Sequence, residues 1–245
     1  MISVVIPTCD REKFLDKSVK SVLNQKTKAN EIIIVNNGKK KIDNQFKNKS
    51  IKIINTLPHI GPAKARNIGA RKAKYEFIIF LDDDDVWSKN YLQIVKKEIK
   101  KKSSDCYITR SKNLLKKNQY YKNPKNLIKL NHLFLYNPGI GGSNIIVKKK
   151  LINQINFDDK LVPSEDKGLI IDFLIKKKKI SVINNAFVYR SLTNDYERIS
   201  NLSNYIKGKI AVYNKYKNKI PPIVKMKSLI VISRLILKKA LQKIW

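Results

Sequence analysis

Phe77-Ile78-Ile79-Phe80-Leu81-Asp82-Asp83-Asp84-Asp85-Val86-Trp87 joins an apolar run directly to four carboxylates. The run is short, rich in Ile and Phe, and free of polar alternation, which predicts a strand buried on both faces. Four adjacent acids repel one another, so the cluster is costly unless water or a cation surrounds it. At the carboxyl end of a parallel strand, ligands gather in the crevice beyond the sheet. Hard oxygen donors there suit Mg²⁺ or Mn²⁺ bridged to a diphosphate, and Asp82 and Asp84 flank Asp83 at D-x-D spacing. Taken alone, the same acids also read as an acidic surface turn.

Before this stretch, residues 2–6 read as a first strand, stopped by Pro7. Thr8-Cys9-Asp10-Arg11 forms its loop, with Asp10 as N-cap of a helix that carries Leu15, Val19, Val22 and Leu23 at helical spacing. Residues 31–35 are a second strand ending in Asn36-Asn37-Gly38, and residues 51–54 a third. Pro62 opens a helix that runs through Ala73, where its missing N–H does no harm. Beyond the acids, a helix over residues 88–102 shows Tyr91, Leu92, Val95 and Ile99 on one side. This alternation predicts an α/β fold with a mostly parallel sheet. Residues 105–109 and 144–147 read as further strands, the second after the turn Pro138-Gly139-Ile140-Gly141-Gly142-Ser143. A helix is expected over 165–178 and a strand over 180–183, while residues 110–136, rich in Lys and Asn, show no clear pattern.

The 245 residues suffice for one large domain with an appendage, and a 42% hydrophobic content points to a globular fold. A formal charge of +33 favours polyanions: nucleotide phosphates, nucleic acid or an anionic membrane face. Lys, Asn and Ile abound along the whole chain, as compositional drift also gives, so charge alone is weak evidence for nucleic acid. Cys9 and Cys106 make no disulfide framework and read as reduced, half-buried residues. No Cys/His set has zinc spacing, and His59 and His132 read as structural or loop residues. Without a basic leader and apolar core at the start, the expected compartment is the cytoplasm.

Each strand of the first half ends in a polar turn, and in a parallel sheet those turns face one crevice. Thr8, Asp10, Asn36 and Asn37 can hydrogen-bond a base and ribose there. The helix opening at Gly61-Pro62 aims its N-terminus at the same crevice, where its dipole favours phosphate. Lys64 and Arg66 lie in its first turns; Arg66 can grip a phosphate by two hydrogen bonds, although both also read as a solvated basic face. Glu165-Asp166 follows Ser164, a candidate cap. An ionised acid beside a sugar-sized pocket can act as general base, or the pair merely complements the helix dipole. Residues 201–245 read as helical, broken at Pro221-Pro222. Met226, Leu229, Ile230, Ile236, Leu237, Ala240, Leu241 and Ile244 share a face, with basic residues mostly opposite; Val231, Ile232 and Leu235 blur the pattern. A basic amphipathic helix ending in Trp245 suits a membrane interface, or packs on the protein.

Five blocks occur in order: Val4-Val5-Ile6-Pro7-Thr8-Cys9-Asp10-Arg11, Glu31-Ile32-Ile33-Ile34-Val35-Asn36-Asn37-Gly38, Gly61-Pro62-Ala63-Lys64-Ala65-Arg66-Asn67-Ile68-Gly69, Phe80-Leu81-Asp82-Asp83-Asp84-Asp85 and Ser164-Glu165-Asp166. Together they resemble the family 2 glycosyltransferases with the GT-A fold, over roughly residues 1–190. The resemblance implies a Rossmann-like, mostly parallel sheet flanked by helices, and inverting transfer from a nucleotide diphosphate sugar, with a UDP-sugar expected. It places Pro7, Thr8, Asp10, Arg11, Asn36, Asn37, Lys64, Arg66, Asp82 and Asp83 by the donor nucleotide. Asp82 and Asp84 would hold Mn²⁺ or Mg²⁺, with Asp84 the direct contact. Asp166 would be the base and Glu165 would shape the acceptor pocket, while Gly141, Gly142, Ser143 and Trp87 approach the donor sugar and acceptor. Residues 1–105 then form a nucleotide-sugar-binding half, 106–200 the acceptor and base half of the same domain, and 201–245 the tail. The expected partners are a glycan or lipid-linked acceptor of surface polysaccharide synthesis, such as lipopolysaccharide or capsule, and the inner face of the cytoplasmic membrane.

Three positions depart from the family pattern. Asn36-Asn37 stands where Asp-Asp or Asp-Gly is usual, Cys9 stands where a tyrosine follows Pro-Thr, and residues 189–195 lack the histidine that many members place near the metal. An inactive donor-binding subunit is therefore one alternative. A sugar nucleotidyltransferase would carry a glycine-rich, arginine-containing loop after the first strand, which Pro7-Thr8-Cys9-Asp10-Arg11 is not. A basic nucleic-acid-binding protein is the other alternative, disfavoured because four acids in the cleft repel a phosphate backbone unless a metal intervenes.

Overall fold

The computed structural model describes residues 1–43, 46, 48–114, 123–124, 127–190 and 202–242. The first half runs β1 (Ile2–Thr8), α1 (Glu12–Leu23), β2 (Glu31–Asn36), β3 (Ile51–Asn55), α2 (Pro62–Lys72), β4 (Phe77–Phe80), β5 (Asp85–Trp87) and α3 (Tyr91–Lys101). The second runs β6 (Cys106–Asn113), α4 (Leu130–Leu135), β7 (Ile145–Lys148), α5 (Lys149–Ile152), α6 (Glu165–Ile175), β8 (Ile180–Arg190), α7 (Leu202–Tyr216) and α8 (Pro222–Leu241).

The strands form one sheet in the order β3-β2-β1-β4-β7-β6-β8-β5. β1 to β4 are parallel. β7 is antiparallel to both β4 and β6, and β8 is parallel to β6. Two reversals restore direction, so β6 and β8 deliver their carboxyl ends to the same edge as β1, β2 and β4. Strand alternation sorts the core into two layers. Val4, Ile6, Ile32, Ile34 and Ile79 pack with α1 and α3. Val5, Ile33, Val35, Ile78 and Phe80 pack with α2 and α6. Each fully buried Ile or Val contributes on the order of 1.5–3 kcal/mol, and Phe77–Phe80 is buried throughout, as its unbroken apolar run demands.

The α/β architecture expected from the sequence is present, with local corrections. The helix expected from residue 88 starts at Tyr91, because Asp85–Trp87 pairs antiparallel with residues 188–190 of β8. The strand expected over 180–183 continues to Arg190, held by β6 beyond a register shift. The helix expected to residue 178 ends at Ile175, where Lys177 turns left-handed at φ 54°. Asp10 does not cap α1: it too is left-handed at φ 54°, and the helix starts after Arg11 without a side-chain cap. Its Oδ1 instead accepts the Lys39 N–H at 2.8 Å, tying the first loop to the second.

The tail is helical and docks on the domain. α8 buries Val224, Ser228 and Ile232. Ser228 Oγ donates to the Phe134 carbonyl at 3.3 Å, and Lys239 Nζ donates to Ser203 Oγ at 2.8 Å. The residues that blur the amphipathic pattern are thereby explained, since Ile232 faces the protein with Val231 and Leu235 half-buried beside it. On the opposite side Ile223, Met226, Leu229, Ile230, Ile236, Leu237 and Leu241 are exposed. At about 100° per residue, Lys225 borders that face on one flank and Lys227, Arg234 and Lys238 on the other. Ile244 and Trp245 lie outside the described residues. Among the described residues, no helix is long and apolar enough to cross a membrane.

Candidate active site

The polar ends of β1, β2 and β4 meet, as the parallel sheet requires. Asn37 donates to the Thr8 carbonyl through its backbone N–H at 2.9 Å and through Nδ2 at 2.7 Å. Thr8 Oγ1 donates to Asp83 Oδ2 at 2.7 Å. Asn36 Nδ2 donates to the Lys40 carbonyl at 2.7 Å and to Asn55 Oδ1 at 2.8 Å, while its Oδ1 accepts the Gly38 N–H at 2.9 Å. A carboxylate accepts only, so an aspartate at either position could not make the Nδ2 donations. The departure at Asn36-Asn37 thus has a structural purpose: both amides pin the loops that border the cleft.

The four acids alternate. Asp83 and Asp85 are buried, whereas Asp82 and Asp84 are half-buried and open to the cleft. Burial lifts Asp83 to about 7, against the Thr8 hydrogen bond and with a further push from Asp84. Burial and the Asp84 charge likewise lift Asp85 to about 7, and Asp85 Oδ2 accepts from Ser143 Oγ at 2.6 Å. Arg11 Nη1 lies 3.3 Å from Asp84 Oδ2 and 3.5 Å from Asp83 Oδ1.

Arg66 connects this edge to α6. It is 4% exposed, with Nη2 at 2.6 Å from Asp82 Oδ1 and Nη1 at 2.8 Å from Glu165 Oε1. Its guanidinium also lies over the Phe157 ring, 5.3 Å from the centroid. Burial opposes its charge, but Asp82 and Glu165 outweigh that cost and raise its pKa further. The same ion pair overcomes the burial of Asp82 and holds that carboxyl below its usual range. The glycine-rich turn makes room for two guanidiniums. A Cβ on Gly142 would stand 2.3 Å from Arg66 Nη2, and one on Gly141 would stand 2.0 Å from Arg190 Nη2. Ser143, next in the turn, accepts the Asp82 N–H at 3.0 Å while donating to Asp85, so it aligns both acids.

Asp166 opens α6 beside Glu165. Burial first, then the Glu165 charge, lifts Asp166 to about 7, although its Oδ1 accepts the Lys167 N–H at 2.6 Å. Ser164 occupies the cap position without a side-chain cap bond. Glu165 Oε2 is buried with no hydrogen-bond partner among the described residues. Lys167 is buried next to the pair, and burial lowers it to about 8.

Three residues expected in the site lie elsewhere. Lys64 pairs with Asp159 at 3.1 Å and lines a separate open cavity of about 430 Å³ with Asn67, Phe157 and Asp158. Trp87 is 4% exposed and stacks on Tyr91 at 4.4 Å, inside the core layer of α1 and α3. Pro7 is a buried residue of β1, paired with Val35 of β2. Asp85, not singled out for a role in the sequence, anchors Ser143, and Arg190 was missed. Arg190 ends β8 opposite Asp85, and its charge bears on Asp82, Asp85 and Asp166. Reading that strand past Ile183 would have brought it to the same sheet edge. Residues 191–195, part of the stretch without a histidine, lie outside the described residues.

Asp82 and Asp84 offer hard oxygen donors, and no third carboxylate, His or Cys gathers with them among the described residues. That set fits Mg²⁺ or Mn²⁺, which keep waters and substrate phosphates in their remaining positions.

Residues 3–156 match the model of "Glycosyl transferase family 2". The chain is 35% identical over 99 residues to an uncharacterized glycosyltransferase of Haemophilus influenzae, covering 38% of this chain and 40% of that protein. It is 30% identical over 198 residues to WfgD of Escherichia coli, a UDP-Glc:alpha-D-GlcNAc-diphosphoundecaprenol beta-1,3-glucosyltransferase, covering 77% of this chain and 75% of that one. Residues 1–349 of Staphylococcus aureus TarS, solved in complex with UDP-GlcNAc, superpose with a TM-score of 0.70 at 19% identity, over 96% of this chain and 71% of that one. With the family pattern running from β1 past β7 and α5, the chain belongs to glycosyl transferase family 2 and has the GT-A type of fold.

Proposed function

We propose that this protein transfers a sugar from a nucleotide diphosphate sugar to a hydroxyl of a glycan or lipid-linked acceptor, with inversion at the anomeric carbon. The observation that carries the reading is the Arg66 bracket, which sets the D-x-D edge and the Glu165-Asp166 pair on one cleft. UDP is the nucleotide read for the donor, supported by the UDP-GlcNAc bound to TarS and the UDP-Glc donor in the name of WfgD. The diphosphoundecaprenol in that name supports a lipid-linked acceptor in surface polysaccharide synthesis.

In this reading Thr8, Asp10, Arg11, Asn36 and Asn37 border the nucleotide, and Gly141, Gly142 and Ser143 border the donor sugar. Asp82 and Asp84 would hold a divalent ion, Mn²⁺ or Mg²⁺, whose charge when bound offsets that of the departing diphosphate. Asp166, ionised, takes the acceptor hydroxyl proton as that oxygen bonds to the anomeric carbon. The bond from that carbon to the phosphate oxygen breaks on the opposite face, and its electron pair leaves with the nucleoside diphosphate. A base near pH 7 suits the task, and burial raises Asp166 to about 7. The outward face of α8, apolar and bordered by Lys225, Lys227, Arg234 and Lys238, would rest on the anionic inner leaflet of the cytoplasmic membrane.

Asp166→Asn tests the assignment. Transfer should fall by about 10²- to 10⁴-fold while UDP affinity holds. The wild-type rate should climb as pH rises through about 7, because only the ionised carboxylate accepts the proton. Unchanged turnover in the variant would remove Asp166 from the role.

A further inference from the structure

Cys9, Asp10 and His59 gather in the loops that follow β1 and β3. Cys9 Sγ lies 3.4 Å from His59 Nδ1 and 4.0 Å from Asp10 Oδ2, and His59 Nε2 lies 3.8 Å from Asp10 Oδ2. One ligand atom from each residue falls within 4.8 Å of the other two. All three are fastened to the loop after β2. The His59 N–H donates to the Asn37 carbonyl at 2.7 Å, and Cys9 Sγ reaches the same carbonyl at 3.4 Å. Asp10 Oδ1 accepts from Lys39, which leaves Oδ2 turned toward Cys9 and His59. A Cβ on Gly38 would stand 2.6 Å from Asp10 Oδ1, so only glycine lets the carboxylate sit this close.

We propose that these three side chains form a second metal site, for a thiophilic divalent cation such as Zn²⁺, on the rim of the cleft. Tetrahedral zinc with Zn–S near 2.3 Å and Zn–N near 2.0 Å sets sulfur and nitrogen roughly 3.6 Å apart, close to the spacing already present. A thiolate, an imidazole and one carboxylate are a softer set than Asp82 with Asp84, so the two places sort their ions: Zn²⁺ here, Mg²⁺ or Mn²⁺ there. Three protein ligands leave a fourth position for water or an anion. Cys9 is partly exposed and Asp10 and His59 are exposed, so an ion has access, and binding displaces the thiol proton. Because Asp10 also borders the nucleotide in the proposed function, zinc and nucleotide should influence each other's binding. That linkage rests on the proposed function; the metal site itself does not.

Titration of the reduced 245-residue chain with Co²⁺ in excess Mg²⁺ tests the site. One equivalent should give tetrahedral visible bands and a thiolate-to-cobalt charge-transfer band, both bleached by Zn²⁺. The charge-transfer band should vanish in Cys9→Ser, and affinity should fall at least about tenfold in His59→Ala. It should persist in Asp82→Ala/Asp84→Ala. Cys106 is fully buried and cannot supply it. A second readout needs no variant: Zn²⁺ should slow alkylation of Cys9. Absence of the band in the wild type, its survival in Cys9→Ser, unchanged affinity in His59→Ala, or alkylation indifferent to Zn²⁺ would each overturn the proposal.

Discussion

At the carboxyl edge of the sheet, buried charge is matched from within the protein: Arg66 sits between Asp82 and Glu165, and Ser143 serves Asp82 and Asp85 together. On α8, exposed apolar side chains are matched by nothing in the chain's described residues, and seven of them face outward from Ile223 to Leu241. The cleft is held by these internal contacts, so substitutions there should cost stability as well as activity. The outer face of α8 contributes little to the fold, so substitutions there should change where the protein goes and leave its stability intact.

Arg66→Ala should have the largest effect. It strands Asp82 and Glu165 without their cation, and breaking a buried pair from one side costs about 3–5 kcal/mol. A denaturation midpoint close to wild type would show that the bracket does not hold the cleft together. Ser143→Ala removes one donor to Asp85 and one acceptor for the Asp82 N–H, with an expected loss of about 1–3 kcal/mol in urea unfolding. Smallest in stability, within about 0.5 kcal/mol, should be the pair Leu229→Gln and Leu237→Gln on α8. Those variants should nevertheless lose sedimentation with phosphatidylglycerol-containing liposomes. If they sediment like the wild type, the membrane reading of that face is wrong.

Much of this contrast was legible in the sequence, and the rest was not for identifiable reasons. The run from Phe77 into the acids was readable because two-sided burial leaves no polar alternation. The convergence of Thr8, Asn36-Asn37 and the acids followed from parallel-strand direction alone. Asp10 misled because a good local cap lost to a tertiary hydrogen bond from Lys39. β5 escaped notice because three residues become a strand only through pairing with β8, about a hundred residues later. Arg190 went with it. Zinc spacing along the chain could not reveal Cys9 with His59, since fifty residues separate them and the fold alone brings them together. On α8 the two apolar faces, one docked and one outward, merged into a blurred pattern that only packing separates.

Binding of a nucleotide diphosphate sugar in the cleft between Asp82, Asp84 and Asp166 is tested most directly by calorimetry of UDP binding with and without Mn²⁺, on wild type and on Asp82→Ala/Asp84→Ala. Binding should be tight and should need both the ion and the two acids. UDP binding of equal strength in the double variant, or none in the wild type with Mn²⁺ present, would contradict it.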